Sequence, residues 1–325
     1  MDSKRTARKL VAWYKTHKRD LPWRDCGNPY RVLVSEFMLQ QTQVATVIPY
    51  FMRFVRRFPT LAALKNATET EVLAHWQGLG YYRRAMMLHA LACSIRKLPN
   101  QACELMRLPG IGEYTANAIA CFAYGEQVAA VDGNAKRVIA RLFASKKIGT
   151  DLHKYANDRA TELIEFVDAR DLNQALMDLG STVCTPKNPS CNICPLRREC
   201  RANELGVQHA YPVAVQRPSS IAVNQTGLVC IQRRRIGFVR DESKWWRGLY
   251  HLPRLSDGES APRGAQIFGT ITHTVTHHKI CLTGMYCRQR RPGMTWFAAD
   301  DLDDVPLPAP DRKLLALLPM TVFSR

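Results

Sequence analysis

Four cysteines, Cys184, Cys191, Cys194 and Cys200, stand in the spacing C-x6-C-x2-C-x5-C. Zinc sites usually show two short cysteine pairs, whereas this loop has one Cys-x-x-Cys flanked by two single cysteines. Four thiolates wrapped this closely suit an iron–sulfur cube, and a zinc ion is the other reading. A carboxyl is the second candidate. Glu36 lies in the otherwise apolar run VLVSEFMLQQTQ (Val32–Gln43). On a helix its same-face neighbours are Val32, Leu33 and Leu39, and only Gln40 at i+4 is polar. Such a helix either turns this face to water or holds the carboxyl in an apolar pocket with a raised pKa, ready to donate a proton.

Two further stretches bear on chemistry. In LPGIGEYTANAIACFAYG (Leu108–Gly125), Pro109, Gly110 and Gly112 shape a tight turn between two helices. The backbone N–H groups of such a turn, with those of the next helix's first residues, form a nest that holds a phosphate without reading a base. An ordinary helix–helix turn is the plain alternative. Asp132, in AVDGNAKRVIARLF, precedes Gly133 and a helix beginning near Asn134. It is either a helix cap or a second reacting carboxylate.

The elements that must position these residues fall into two textures. From Asp2 to about Arg201, Leu, Ala, Val and Met recur at spacings of three and four, which predicts helix after helix. The first is a short amphipathic helix with Leu10, Val11 and Tyr14 on one side. Asn66 or Thr68 is placed to cap a helix starting near Glu71. Between about 205 and 225 the periodicity dissolves, which predicts a linker. Beyond it, GLVCIQRRRIGFVR, QIFGTITHTV and HKICLTGMYCR are short β-branched runs bounded by Gly, Pro and Asp, and a last helix is expected at Asp311–Leu318. The expected fold is multidomain: an all-helical two-thirds, then a mixed α/β third.

The chain has 325 residues and a formal net charge of +18. Residues 1–219 carry 31 Lys+Arg against 19 Asp+Glu, and residues 220–325 carry 15 against 9. Both parts are basic, so a polyanionic partner is expected, nucleic acid or anionic membrane. No apolar run approaches the roughly 20 residues of a membrane helix. Of 11 cysteines, seven are scattered (Cys26, Cys93, Cys103, Cys121, Cys230, Cys281 and Cys287). An odd number without a signal peptide predicts a reducing compartment, a metal site and free thiols.

Together DLPWR (Asp20–Arg24), NPYRVLVSEFMLQQTQV (Asn28–Val44), WQGLGYYRRA (Trp76–Ala85), LPGIGEYTANAI, VDGNAKRV and ALMDLGSTVCTPKNPSCNICPLRREC (Ala175–Cys200) carry a resemblance. The chain resembles the helix–hairpin–helix DNA glycosylases of the endonuclease III superfamily, and within them the adenine DNA glycosylases. The resemblance implies a glycosylase core with an iron–sulfur cluster loop, followed by a Nudix-like domain. The implied boundaries are 1–20 with 125–204 for the cluster domain and 21–124 for a six-helix barrel with the hairpin. A linker at 205–225 and a recognition domain at 226–325 complete them.

The resemblance also implies roles. Glu36 matches the acid that protonates adenine at N7, and Asp132 the carboxylate that stabilises or traps the oxocarbenium-like sugar. Asn134 and Tyr114 match residues that position the carboxyls and the water. Tyr114 stands where strand-cleaving relatives carry a lysine, and a tyrosine cannot form an imine, so water-dependent, monofunctional chemistry is implied. Arg19, Trp23, Leu39, Gln41, Leu79 and Tyr81 match residues of the base pocket and the duplex wedge. Gly110 and Gly112 match the phosphate-binding hairpin. The four cysteines match ligands of a 4Fe-4S cluster.

In the last third, WWRGLYHLPRL (Trp245–Leu255) and HTVTHH (His273–His278) match the domain that recognises 8-oxoguanine, with Thr276 and His277 in its loop. Val275 stands where the family often has phenylalanine. Residues 220–325 hold only two glutamates, Glu242 and Glu259, so no Mg²⁺-holding, Glu-rich Nudix helix is expected. The implied partner of this monomer is double-stranded DNA with adenine opposite 8-oxoguanine, and no membrane. The implied location is a bacterial cytoplasm, or a nucleus in a eukaryote. A pyrimidine or thymine-mismatch glycosylase and a non-catalytic DNA-damage binder are the alternatives.

Overall fold

The computed structural model describes every residue except 1, 25, 216–218, 242–247, 257, 276, 303–304 and 324–325. Thr276, Glu242 and the Trp245–Trp246–Arg247 part of the expected recognition motif lie outside the described residues. Among the described residues the helices are α1 (Ser3–His17), α2 (Pro29–Leu39), α3 (Val44–Arg57), α4 (Leu61–Lys65), α5 (Glu69–Trp76) and α6 (Arg83–Ser94). They continue with α7 (Ala102–Leu105), α8 (Glu113–Tyr124), α9 (Gly133–Leu142), α10 (Gly149–Ile164), α11 (Ala169–Thr182) and α12 (Arg201–Glu204). The strands are β1 (Ile221–Gln232), β2 (Arg235–Arg240), β3 (Tyr250–His251), β4 (Gln266–Val275), β5 (His278–Cys287) and β6 (Met294–Ala298), and α13 (Ala309–Leu315) follows them. A helical core followed by a mixed sheet is the architecture expected from sequence. No helix is long and apolar enough to cross a membrane among the described residues.

The chain folds into two compact units, residues 1–44 with 94–216 and residues 45–93 with 217–325. The helices of 45–93 thus group with the C-terminal sheet. Within that unit the Tyr82 hydroxyl donates to the Leu307 carbonyl at 3.3 Å, a pairing 225 residues apart in sequence. Local sequence signals carry no trace of so distant a contact.

In the first unit, local chemistry starts each helix. Asp2 caps α1 by accepting from the Arg5 N–H, and Asn28 caps α2 by accepting from Tyr30 and Arg31, with Pro29 in the first turn. Helix α2 buries every residue from Val32 to Met38, as a helix apolar on all sides must. Leu10, Val11 and Tyr14 of α1 join Val138 and Ile139 of α9, Leu163 of α10 and Leu172 of α11 in one core.

In the second unit, Thr68 and Glu71 form a capping box at the start of α5, while Asn66 closes α4 instead. The sheet order is β3-β2-β1-β5-β4, with β6 also pairing β2. β1 and β5 run parallel, and the other pairs are antiparallel. Three boundaries differ from the sequence reading. The run GLVCIQRRRIGFVR divides into β1 and β2 at Arg233–Arg234, although neither Gly nor Asn marks the turn. β1 already begins at Ile221, because its first residues pair with His278 and Lys279 of β5. The last helix lies at Ala309–Leu315, two residues earlier at its start, with a proline in its first turn.

Candidate active site

Glu36 points into the first unit and is only 5% exposed. Its Oε2 makes no hydrogen bond, and its carboxyl takes a hydrogen bond from the Tyr114 side chain. Burial raises its pKa to about 7. Tyr114 and Arg24 pull it down, and the nearby Asp132 pushes it up. Tyr114 is raised well above its ordinary value by burial and by the two carboxyls beside it, so it stays a neutral donor. The apolar setting expected from Val32, Leu33 and Leu39 is thus present, and near neutral pH a substantial share of Glu36 keeps its proton.

Asp132 is the helix cap that the sequence allowed, and its second oxygen is held as well. Its Oδ1 accepts the Ala135 N–H at 2.7 Å and caps α9, while Oδ2 accepts the Asn134 side-chain amide at 2.8 Å. Asn134 is in turn fixed by Arg137, whose guanidinium donates to its Oδ1 at 2.9 Å and to the Gly180 carbonyl at 2.7 Å. Gly180 lets α11 come this close. A Cβ there would lie 2.7 Å from the Asn134 Cβ and 3.0 Å from its carbonyl oxygen.

A second buried carboxyl, Asp178 on α11, was not singled out from the sequence. It is fully buried and takes two bonds from Arg24, at 2.7 and 2.9 Å. Arg19 donates to it from Nε and Nη2 at 2.6 Å each and from its backbone N–H at 3.2 Å. Burial alone would raise Asp178, but the bonds and charges of Arg24 and Arg19 outweigh it and hold the carboxyl below its usual value. Arg19, expected in the base pocket, thus has its guanidinium on Asp178, and Trp23 is 7% exposed. The signal that could have found Asp178 is the one that found Glu36, a carboxyl in an otherwise apolar stretch of helix (ALMDLG).

All four cysteines of the cluster motif are free and partly buried. Cys184, Cys194 and Cys200 pack on the core of the first unit. Burial, and then the other three thiols, push Cys194 up to about 12, so the four sulfurs are neighbours. Among the described residues no group of three or more His, Cys, Asp or Glu side chains is arranged to hold a metal ion. Two arginines missed by the sequence reading organise this loop. Arg137 donates to the Cys184 carbonyl at 2.8 Å. Arg141, 2% exposed, donates to Cys184 Sγ at 3.3 Å and to the carbonyls of Thr185 and Pro186 at 2.7 and 2.9 Å. They stand at i and i+4 of α9, where the sequence reads as an ordinary basic helix.

The remaining expected residues are placed as follows. Gly110 turns at φ 79° ahead of α8, and Gly112 caps α8 without a side chain, which leaves that helix's first N–H groups open to an anion. Leu39 ends α2, and Gln41 follows, exposed, at φ 60°. In the second unit, Leu79 is buried, while Tyr81 is 56% exposed at φ 50°. The Gly80 carbonyl beside it accepts from Trp76 Nε1 at 3.1 Å and from Arg84 at 3.2 Å, and the Arg84 guanidinium lies over the Tyr81 ring. Arg84, also missed, is 7% exposed and holds this loop in shape. His277 sits between β4 and β5. Its carbonyl accepts the Ile221 N–H at 2.9 Å, and its ring lies 4.1 Å from that of His278.

Residues 34–165 match the family described as HhH-GPD superfamily base excision DNA repair protein, and residues 221–317 match the NUDIX domain family. The chain therefore carries an HhH-GPD domain with a NUDIX domain behind it. Its relatives are more particular. It is 43% identical over 216 residues to the adenine DNA glycosylase of Rattus norvegicus, covering 61% of this chain and 41% of the rat protein. It is 28% identical to the adenine DNA glycosylase of Buchnera aphidicola subsp. Schizaphis graminum, over 95% of this chain and 97% of that one. The chain thus spans well under two thirds of some of its curated relatives. Among solved structures, a thermostable thymine-DNA glycosylase aligns with TM-score 0.59 at 28% identity, over 62% of this chain and 97% of that one.

Proposed function

We propose that this chain is a monofunctional DNA glycosylase that hydrolyses the N-glycosidic bond of adenine mispaired with 8-oxoguanine or guanine. The observation that carries the reading is the buried Glu36 carboxyl, hydrogen-bonded by Tyr114, facing Asp132 and pushed up to about 7. An acid so poised gives its proton to adenine N7, which turns the base into a leaving group. Asp132, oriented by Ala135 and Asn134, stabilises the positive sugar as the bond breaks. Water completes the hydrolysis, and the strand stays intact because Tyr114 cannot form an imine. Adenine must leave the helix to reach Glu36, and Gln41, Leu79 and Tyr81 serve as wedge and filler. Arg19, Trp23 and Leu39 border the base, and Gly110 and Gly112 hold a phosphate.

Cys184, Cys191, Cys194 and Cys200 hold a 4Fe-4S cluster in this reading, a structural or DNA-contacting part with no step in the hydrolysis. The C-terminal domain binds and does not hydrolyse. Glu259 is tied to Arg291 and to the Ser256 N–H, and Thr276 with His277 reads 8-oxoguanine. The partner is duplex DNA, bound by a monomer.

The thymine-DNA glycosylase among the similar structures favours a second reading, a mismatch glycosylase for thymine on the same scaffold. Single-turnover assays on duplexes with adenine opposite 8-oxoguanine, T·G and thymine glycol separate the two. Strand breaks from the adenine duplex that appear only after alkali support the first reading. Thymine release from T·G supports the second, and breaks without alkali overturn the monofunctional chemistry.

A further inference from the structure

The β1–β2 turn is an unusual piece of backbone. Gln232 pairs with Arg235, so two residues make the turn, and both are arginines at positive φ, 43° for Arg233 and 60° for Arg234. A two-residue turn with both φ positive favours Asn-Gly, because side chains with a Cβ are crowded there. The chain forgoes that easy turn and sets two exposed guanidinium groups at the tip.

More arginines stand at the same end of the sheet. β1 and β5 are parallel and in register to Cys230 and Cys287, so the residues that follow each strand emerge together. Arg290 Nε donates to Gln232 Oε1 at 2.7 Å, and the Arg290 guanidinium lies over Trp296. Arg235 donates to the Trp296 carbonyl at 3.1 Å. Arg288 is exposed, and Arg291 pairs with Glu259. The facing carboxylates are Glu259, Asp300 (3.4 Å from Arg234) and Asp301 in the same turn of 3-10 helix. Among the described residues this end therefore sets six arginines against three carboxylates. All six cations are planar forks suited to phosphate oxygens, and none is lysine.

We infer that this arginine end of the C-terminal sheet is a second contact surface for the phosphate backbone of duplex DNA, separate from the His277 loop. The separation follows from β1. His277 lies against Ile221 at its start, and the arginines lie at its far end, about 36 Å away at the rise of a strand. Contacts there are indifferent to sequence, and they hold the chain on undamaged duplex.

The inference does not depend on which base is excised, and its test uses a duplex with no lesion and no mispair. The full chain and an Arg233→Asn/Arg234→Gly variant are titrated with that duplex over a range of salt concentrations. The replacement suits the turn better, so the variant's melting temperature should not fall. Its affinity should drop, and the slope of log affinity against log salt should flatten by about 1–2, as expected for two lost phosphate contacts. An unchanged slope and affinity would overturn the inference. So would unchanged DNA affinity alongside lost binding to phosphatidylserine vesicles, which would assign the surface to a membrane. If the turn variant does not fold, Arg288→Gln/Arg290→Gln, off the turn, carries the same measurement. The single-turnover excision rate at saturating variant should equal that of the parent.

Discussion

Glu36 on α2 and Asp178 on α11 are two buried carboxyls in one unit, and they end in opposite states. Glu36 has an unbonded oxygen, one neutral donor and a like charge beside it, and it is raised to about 7. Asp178 is buried too, yet two arginines saturate it and hold its pKa down. Depth alone does not decide the protonation of a buried acid. The count of charged partners does. The first arrangement suits a proton donor, and the second a fixed anion that locks Arg19 and Arg24 in place.

Glu36→Gln should break the contrast most sharply. Excision should fall by about 10²–10⁴-fold or more in single-turnover assays, the usual worth of a general acid, while gel-shift affinity for the mispaired duplex stays near that of the parent. Retained excision would remove Glu36 from the mechanism. Asp178→Asn should cost about 3–5 kcal/mol of stability in urea titrations, because it leaves two largely buried guanidinium groups without their anion. The unbalanced Arg24 should also draw Glu36 downward. Excision in this variant should therefore fade at a lower pH than in the parent, and an unmoved profile would show that Asp178 only supports the fold.

The pH dependence sharpens the same contrast. Excision should be full below about pH 7 and decline above it as Glu36 ionises. Stability should carry the opposite signature of a stored cost. The folded chain keeps the Glu36 proton that the unfolded chain has released above its ordinary value of 4.5, so stability falls as pH rises from there through about 7. Glu36→Gln removes that cost and should be more stable than the parent above neutrality, by up to about 3 kcal/mol. Asp178 works in reverse. Its contribution is present above the unfolded carboxylate value and is lost as pH falls through its depressed folded value. The smallest effect is expected of Tyr114→Phe. It removes a hydrogen bond that favours ionised Glu36, worth about 1 kcal/mol, and should extend activity to slightly higher pH. Narrowing of the active range would contradict the role given to Tyr114.

Much of the first unit was legible because its signals are local. Asp132 announces α9, and Gly112 opens α8. The apolar period of VLVSEFML marks Glu36 as misplaced for a surface. The cysteine spacing marks its loop at once. The arginine turn was not legible, since Arg-Arg is no turn signal and both residues read as a continuing strand. Arg137, Arg141 and Arg84 were missed because a buried arginine looks like an exposed one until its acceptors are known. Those acceptors are backbone carbonyls up to 70 residues away.

The sequence by itself determined where helices such as α9 start and which residues stand out as candidates for chemistry, Glu36 and Asp132 among them. Caps, periods and side-chain identity act over a few residues. Only the tertiary structure decided that Glu36 rests near neutrality while Asp178 stays charged. Those states depend on groups brought from far along the chain, Tyr114 and Asp132 to Glu36, and Arg19 and Arg24 to Asp178 across 159 and 154 residues. Solvation and Coulomb energies follow distance in space, and the spacing of residues in a sequence does not record it.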